Sequence, residues 1–414
     1  MQIRFLITNA YGGGGTIRTT LTMASALARR GHDVEVASVL RRRRNPVFPV
    51  DDAVRLRPLV DQSRAQPAGR RRRVTRLAGK VLDRMPSRLI HRSDVRHGRF
   101  SARTDLALLR YLRSLRGGVL VTTRAGLNLA SARHVHRSVV RVAQAHVHLG
   151  RHPDDLRAAF VELYPRLDAV VALTSRDAQA YRELLDDRVP VLSIPNAVPD
   201  LGDVRADADP DARVVIAAGR LTKPKGFDLL IDAWRDVAPA HRDWQLQIHG
   251  RGSARRRLKR QINKAGLSDQ VRLMGFTKNL PERLASSSIF VLSSRFEGFP
   301  MVLLEAMASG LPVVSFDCPT GPAELVDNGV TGVLVENGSV SVLAGEINRL
   351  IDDPALRVRM GAAAKQAAAD YSSDNIAARW EALFERHLTA HQAGRGMSRR
   401  RGRRSSSVGQ PGAA

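Results

Sequence analysis

Residues 289–316 leave this chain little choice of fold. Ile289-Phe-Val-Leu-Ser-Ser294 is a short apolar run of buried-strand type. After Pro300 come good helix formers, with no breaker until Gly310, a natural C-terminal stop. Leu311-Pro-Val-Val-Ser-Phe316 then reads as the next strand. A strand that hands over to a helix and then to another strand implies a parallel α/β sheet. At the handover sit two glutamates, Glu297 and Glu305, with seven residues between them. A helix start offers unpaired N–H groups and partial positive charge, which suits phosphate. Carboxylates there make sense if they accept hydrogen bonds from neutral hydroxyls around the anion, such as those of a sugar and a ribose.

Glu-x7-Glu alone is a weak signal. The whole phrase, Glu297-Gly-Phe-Pro followed by Glu305-Ala-Met-Ala-Ser-Gly-Leu-Pro-Val-Val314, resembles the signature of the retaining glycosyltransferases of family 4, also called glycosyl transferases group 1. Phrases like Phe316-Asp-Cys-Pro-Thr-Gly-Pro322 point toward members that glycosylate wall teichoic acid or lipid-linked oligosaccharide, the poly(glycerol-phosphate) α-glucosyltransferase type. The resemblance implies an α/β GT-B fold, two doubly wound Rossmann-like domains facing a cleft. It also implies a donor site in which Glu297 holds hydroxyls of the transferred sugar and Glu305 the ribose. Phe299, Met301, Val302 and Leu303 belong to the same donor-binding set, with the amides of Met301 and Val302 offered to phosphate. Pro300 has no N–H to give.

A length of 414 residues suggests two domains of roughly 200 each. The expected division is residues 1–199, a linker at 200–212, a nucleotide-sugar domain at 213–372, a helix at 373–392 crossing back to the first domain, and a disordered basic tail at 393–414. The net charge of +26 is concentrated in two places. Residues 41–116 hold 22 Lys/Arg against 6 Asp, and the tail carries further arginines with no acid after Glu385. The single cysteine, Cys318, excludes an internal disulfide and fits a reducing compartment. No apolar run reaches the roughly 18 residues of a membrane span. Met1 to Thr8 reads as a first strand rather than a signal peptide. The expected location is cytoplasmic, with peripheral attachment to the inner membrane face.

In the first half, Ile3–Thr8 is a strand, Gly12-Gly-Gly-Gly15 a loop, and Ile17, Leu21, Ala24 and Ala28 mark a helix before the strand that opens at Asp33. No Gly-Lys-Ser/Thr follows, so this is not a Walker loop. The resemblance turns the glycine run into a loop facing the donor diphosphate, with Gly14 and Gly15 best matched. Residues 41–116 resist reading. Within them Val74, Leu77, Val81 and Met85 share a helical face among basic residues from Arg70 onward, until Pro86 stops the helix. Such a helix can rest on an anionic membrane, and the basic tail can do the same; a solvated arginine-rich insert is the plainer alternative. Strand-like runs recur at 119–122, 139–142, 169–173 and 191–194. His146, after Val142-Ala-Gln-Ala, matches the single strand-end histidine of the family, although Ala145 stands where many relatives have an acid. His146 and His148 lack a third nearby ligand, so zinc is not expected.

In the second half, Val214–Ala218 is a strand, and Gly219-Arg220-Leu-Thr-Lys-Pro-Lys225-Gly226 leads into a helix. Arg220 supplies a fork of donors and Lys225 a point charge, both suited to a diphosphate and both matching the family motif. Backbone near Phe276 and Thr277 is implied to meet the base. Asp207-Ala-Asp209 imitates a metal-binding Asp-x-Asp but lies in linker composition. Cys318 has no base assigned to it and reads as a small buried thiol. The expected activity is transfer of a hexosyl group from a nucleotide sugar, of UDP type, to a glycan, lipid-linked or polyol-phosphate acceptor. No cofactor or metal is expected. Glu297, His146, Arg220 and Lys225 are the expected catalytic residues. The alternatives are a nucleotide-sugar epimerase of the same architecture and a polyanion- or nucleic-acid-binding protein. The charge clusters in an insert and a tail with few aromatics, so no specific nucleic acid is expected.

Overall fold

The structure, a computed structural model, describes residues 1–63, 79–198 and 208–405, with side chains described to residue 393. The part of the Arg70–Met85 segment up to residue 78, most of the linker, and the tail beyond Ser405 lie outside the described residues. The described chain divides into two compact units. The first holds residues 1–172, 178–194 and the chain from Ala377 on; the second holds 173–177 and 195–376.

The first unit is built on β1 (Gln2–Ile7), β2 (Asp33–Arg41), β3 (Arg55–Asp61), β4 (Val119–Thr122), β5 (Val140–Ala145), β6 (Ala169–Ala172) and β7 (Val191–Ser193). They pair in parallel in the order β3-β2-β1-β4-β5-β6-β7. Central strands such as β4 and β6 are buried at every position, so they read as continuous apolar runs rather than alternating ones. β3 went unread in the sequence, for a physical reason. It is an edge strand with exposed arginines and Pro58 within it, both of which an edge tolerates.

The second unit contains β8 (Val214–Ala218), β9 (Gln245–His249), β10 (Val271–Gly275), β11 (Ile289–Leu292), β12 (Val313–Phe316) and β13 (Gly332–Val335). All pairs are parallel and the order is β10-β9-β8-β11-β12-β13. One face buries Trp234, Ile231 and Ile347; the other buries Leu303, Met307 and Phe290. In each sheet the chain first runs outward from the initial strand, then crosses back to its other side. The resulting switch points lie between β1 and β4 and between β8 and β11, where α/β sheets place ligands.

The last helix runs from Ser373 to Ser405, so the chain past Ala393, expected to be disordered, continues as helix. A helix already nucleated by packing propagates through Arg and Met, even with glycines interspersed. Trp380 and Phe384 are buried in the first unit with ring centroids 5.4 Å apart. Glu381 takes two hydrogen bonds from Arg30, at 2.8 and 2.7 Å, and a third from His32 at 2.7 Å. His391 bonds Asp168 at 2.7 Å. Among the described residues, no helix is long and apolar enough to cross a membrane. Trp380→Ala should lower the stability of the first unit by about 3–5 kcal/mol. A urea midpoint unchanged from wild type would mean the helix does not contribute to that core.

Candidate functional site

The loops after β8 and β11 touch through their backbones. Gly226, with φ of +62°, precedes the helix Phe227–Val237, and a Cβ there would lie 1.8 Å from the Ser293 carbonyl oxygen. Only glycine fits both the left-handed turn and this approach. Ser293 Oγ donates to the Lys225 carbonyl at 3.2 Å, and the Arg295 amide to that of Pro224 at 2.8 Å. The Arg295 guanidinium forks onto Asp228 at 2.8 and 3.0 Å. Burial would raise the Asp228 pKa, but the hydrogen bonds and charge of Arg295 outweigh it and hold the carboxyl below its ordinary range.

This stapling brings Lys225 Nζ to Glu297 Oε1 at 2.5 Å, and Ser294 Oγ donates to the same oxygen at 2.6 Å. The side chains keep 18% and 9% of their surface in contact with solvent, so the pair is sheltered but reachable. The backbone of Glu297 is clamped as well. Its amide donates to the Pro319 carbonyl at 2.9 Å and its carbonyl accepts from Thr320 at 2.7 Å. Cys318 lies under this clamp, almost wholly buried; burial, then the charge of Glu297, push its thiol up to about 12. It is a packing residue at neutral pH, as the sequence suggested.

The start of the helix Met301–Ala308 differs in detail from expectation. Pro300 forms a tight turn in which the Met301 amide donates to the Phe299 carbonyl at 3.0 Å. The Leu303 amide donates to the Pro300 carbonyl at 2.9 Å. Met301 therefore has no amide to spare, and Val302 alone of the three keeps one without an acceptor among the described residues. No side chain caps this helix and no acid stands in its first turn, so its positive end is bare. Phe299 and Leu303 bury their side chains in the core. Glu305, on the same helix, is 2% exposed.

Arg220 is exposed, and its guanidinium has no hydrogen-bond or ion-pair partner among the described residues. Phe276 and Thr277 lie beyond β10, where they line a separate recess with His249, Met274 and Arg283. Phe276 is 61% exposed, with Arg251 stacked 5.7 Å from its ring centroid. His249 was missed in the sequence. It is buried, and both of its ring nitrogens lack partners; burial, then Arg283, hold its pKa down, so it is neutral.

The first unit has its own recess at its switch point. Gly14, with φ of +151°, precedes the helix Gly15–Arg29, which has neither a side-chain cap nor an acid in its first turn. Thr16, Thr123, Arg124 and His146 line the recess together. His146 directly follows β5, its Nε2 is sealed from solvent without a partner, and burial, then Arg124, lower its pKa to about 4. Arg124 is in turn paired with the buried Asp94 at 3.0 Å. Among the described residues, no three His, Cys, Asp or Glu side chains converge as a metal site. Sequence reasoning also missed Ser294, Arg295 and Asp228. Ser294 and Arg295 adjoin the glutamate motif, but only the fold shows that they hold it.

Residues 204–367 match the family described as Glycosyl transferases group 1. The whole chain is 35% identical to an exopolysaccharide phosphotransferase of Streptomyces coelicolor, but spans only 44% of that protein's length. It is 27% identical to the amylovoran biosynthesis glycosyltransferase AmsD of Erwinia amylovora, over 92% of this chain and 99% of that one. Among solved structures, a mutant of S. aureus TarM, in complex with fondaparinux, α-GlcNAc-glycerol and UDP, superposes with a TM-score of 0.72 at 15% identity, covering 92% of this chain and 99% of that one. The second unit of the chain is a glycosyl transferases group 1 domain, and the fold is GT-B.

Proposed function

We propose that the chain is a retaining, metal-independent hexosyltransferase. It takes a sugar from a nucleotide donor of UDP type and passes it to a cell-envelope polymer, a lipid-linked glycan or a small glycoside. The observation that carries this reading is the Lys225–Glu297 pair, fixed by Ser294 beside a bare helix start at a switch point of the sheet. Names among its relatives, exopolysaccharide phosphotransferase and amylovoran glycosyltransferase, favour an envelope polymer. The UDP bound in structures of the same fold favours that nucleotide.

In this reaction the difficulty is the departing diphosphate, which gains charge as the glycosidic bond stretches. Arg220, Lys225 and the Val302 amide meet that charge, a role other enzymes give to a metal. Before the donor arrives, Lys225 and Glu297 neutralise each other; when phosphate draws Lys225 away, Glu297 is released to accept from sugar hydroxyls. Glu305 serves the ribose, backbone at Phe276 and Thr277 the base, and the helix start at Gly14 and Gly15 the diphosphate. His146 serves the donor sugar. The departing phosphate, on the face where the acceptor enters, takes the acceptor's proton. The basic surface, including the half-exposed Val81 and Met85, rests on an anionic membrane at its inner face.

UDP or a UDP-sugar should raise the melting temperature with EDTA present, and Arg220→Ala should weaken that binding about ten- to a hundredfold, the loss of a charge-assisted contact. Stabilisation by nucleic acid or heparin, with no response to any nucleotide sugar, would replace this reading with a polyanion binder. Glu297→Gln should depress kcat far more than donor affinity, measured as nucleotide release against the acceptor. Equal losses in both would remove Glu297 from the transition state. Conversion of the donor sugar without any acceptor would identify an epimerase.

A further inference from the structure

The first unit carries a second recess, away from the residues assigned above. It is lined by Arg88, His91, Arg92, Leu129, Arg133 and Asp155. Three arginines thus stand around one concavity, and all three are exposed. Among the described residues, none of their guanidiniums has a hydrogen-bond or ion-pair partner. Some arginines of the same unit are paired instead: Arg103 with Asp83 at 3.0 Å, Arg124 with Asp94 at 3.0 Å and Arg141 with Asp168 at 3.1 Å. The one acid of the recess is held in place by hydrogen bonds. Asp155 accepts from Ser93 Oγ at 2.5 Å and from the Leu156 amide at 2.8 Å.

The loop presenting Arg88 and Arg92 is rigid by construction. Asp105 accepts from Ser87 Oγ at 2.6 Å and from the amides of Arg88 and Leu89 at 2.7 and 3.1 Å. Asp94 accepts from the Arg96 amide at 2.8 Å and the Gly126 amide at 3.0 Å. Between these two buried carboxylates Ile90 is driven into the core, so close to Gly126 that a Cβ there would meet Ile90 Cγ2 at 2.6 Å. Arg88 and Arg92 flank that anchor. Arg133 comes from the helix Ala125–His134, one turn beyond Leu129. Three guanidiniums against the single carboxylate of Asp155 leave the concavity a net positive charge and residual repulsion. An oxyanion would relieve it, and guanidinium forks match phosphate geometry.

We infer that this recess is a phosphodiester-binding site on the first unit, formed by Arg88, Arg92 and Arg133. It rests on the transferase reading only in its use: it would hold the phosphate of an anionic acceptor. The same chemistry is found in a polyol-phosphate chain and in an anionic lipid headgroup.

The full chain is titrated with soluble glycerol-phosphate oligomer, and separately sedimented with phosphatidylglycerol/phosphatidylcholine vesicles against phosphatidylcholine alone. The variant R88Q/R92Q/R133Q is compared with R242Q/R256Q/R260Q, which removes equal charge from exposed positions of the second unit. The recess variant should lose about tenfold or more in binding to one of the two probes, the control less than about twofold. Melting temperatures should match wild type, because the anchors Asp94, Asp105 and Ile90 are untouched. Loss on the oligomer identifies a polymer; loss on vesicles alone identifies a headgroup. Equal losses in the two triple variants, or no binding of either probe by wild type, would overturn the site. UDP stabilisation is read in parallel on wild type and both variants. Its absence from wild type would defeat the transferase reading while leaving this site standing.

Discussion

Everything in the second unit that bears on chemistry depends on one close backbone approach. Gly226 lets the loop after β8 lie against the Ser293 carbonyl, and the Lys225–Glu297 contact forms beside that approach. Arg295 reaches back over the gap to Lys223, Pro224 and Asp228, locking two loops that are about seventy residues apart in sequence. With the loops fixed, Lys225 and Glu297 have little choice but to meet. A half-sheltered lysine and glutamate in such contact form a charge pair that strengthens as water is excluded. The arrangement stores opposite charges side by side near an uncapped helix start.

The two units share one architecture and use it differently. In each, a first strand lies mid-sheet, a loop at its C-terminal end leads into a helix, and neighbouring strands bring their own loops to the switch point. In the first unit the helix start at Gly15 is uncapped, and the recess beside it is lined by polar groups such as Thr123, Arg124 and Asn128, with the pKa of His146 lowered by burial and Arg124. The second unit concentrates charge at the corresponding place. The excess positive charge of the chain is partly balanced by local pairs such as Arg30–Glu381 and Arg41–Asp61. Elsewhere arginines stand without an ion-pair partner among the described residues, and Arg88, Arg92 and Arg133 gather around one concavity.

Most strands were legible in the sequence because buried parallel strands are short apolar runs, and a handover from such a run to a helix is hard to mistake. β3 and the helix Ala102–Ser114 were not legible. β3 carries arginines and a proline that suit an edge, and the helix is recognisable mainly by its Ser101/Thr104 cap. The site was legible in part. Glu297, Lys225 and Arg220 stood out through motif chemistry, but the occupied amides of Met301 and Leu303 follow from the turn at Pro300, which composition does not reveal. His249 carried no periodic or motif signal at all.

Residue order alone was enough to specify local preference: which runs are strands, where glycine or proline must break them, and which loops hold charge and carboxylate side by side. Those follow from near-neighbour sterics and apolar periodicity, which act over a few residues. Which loops meet, which amides are already used, and which arginines are left without a counterion were settled by packing. Lys225 and Glu297 are 72 positions apart, and Arg88 and Arg133 come from separate elements. No local rule reaches such distances; the sheet order does, because it carries distant strand ends to a common edge.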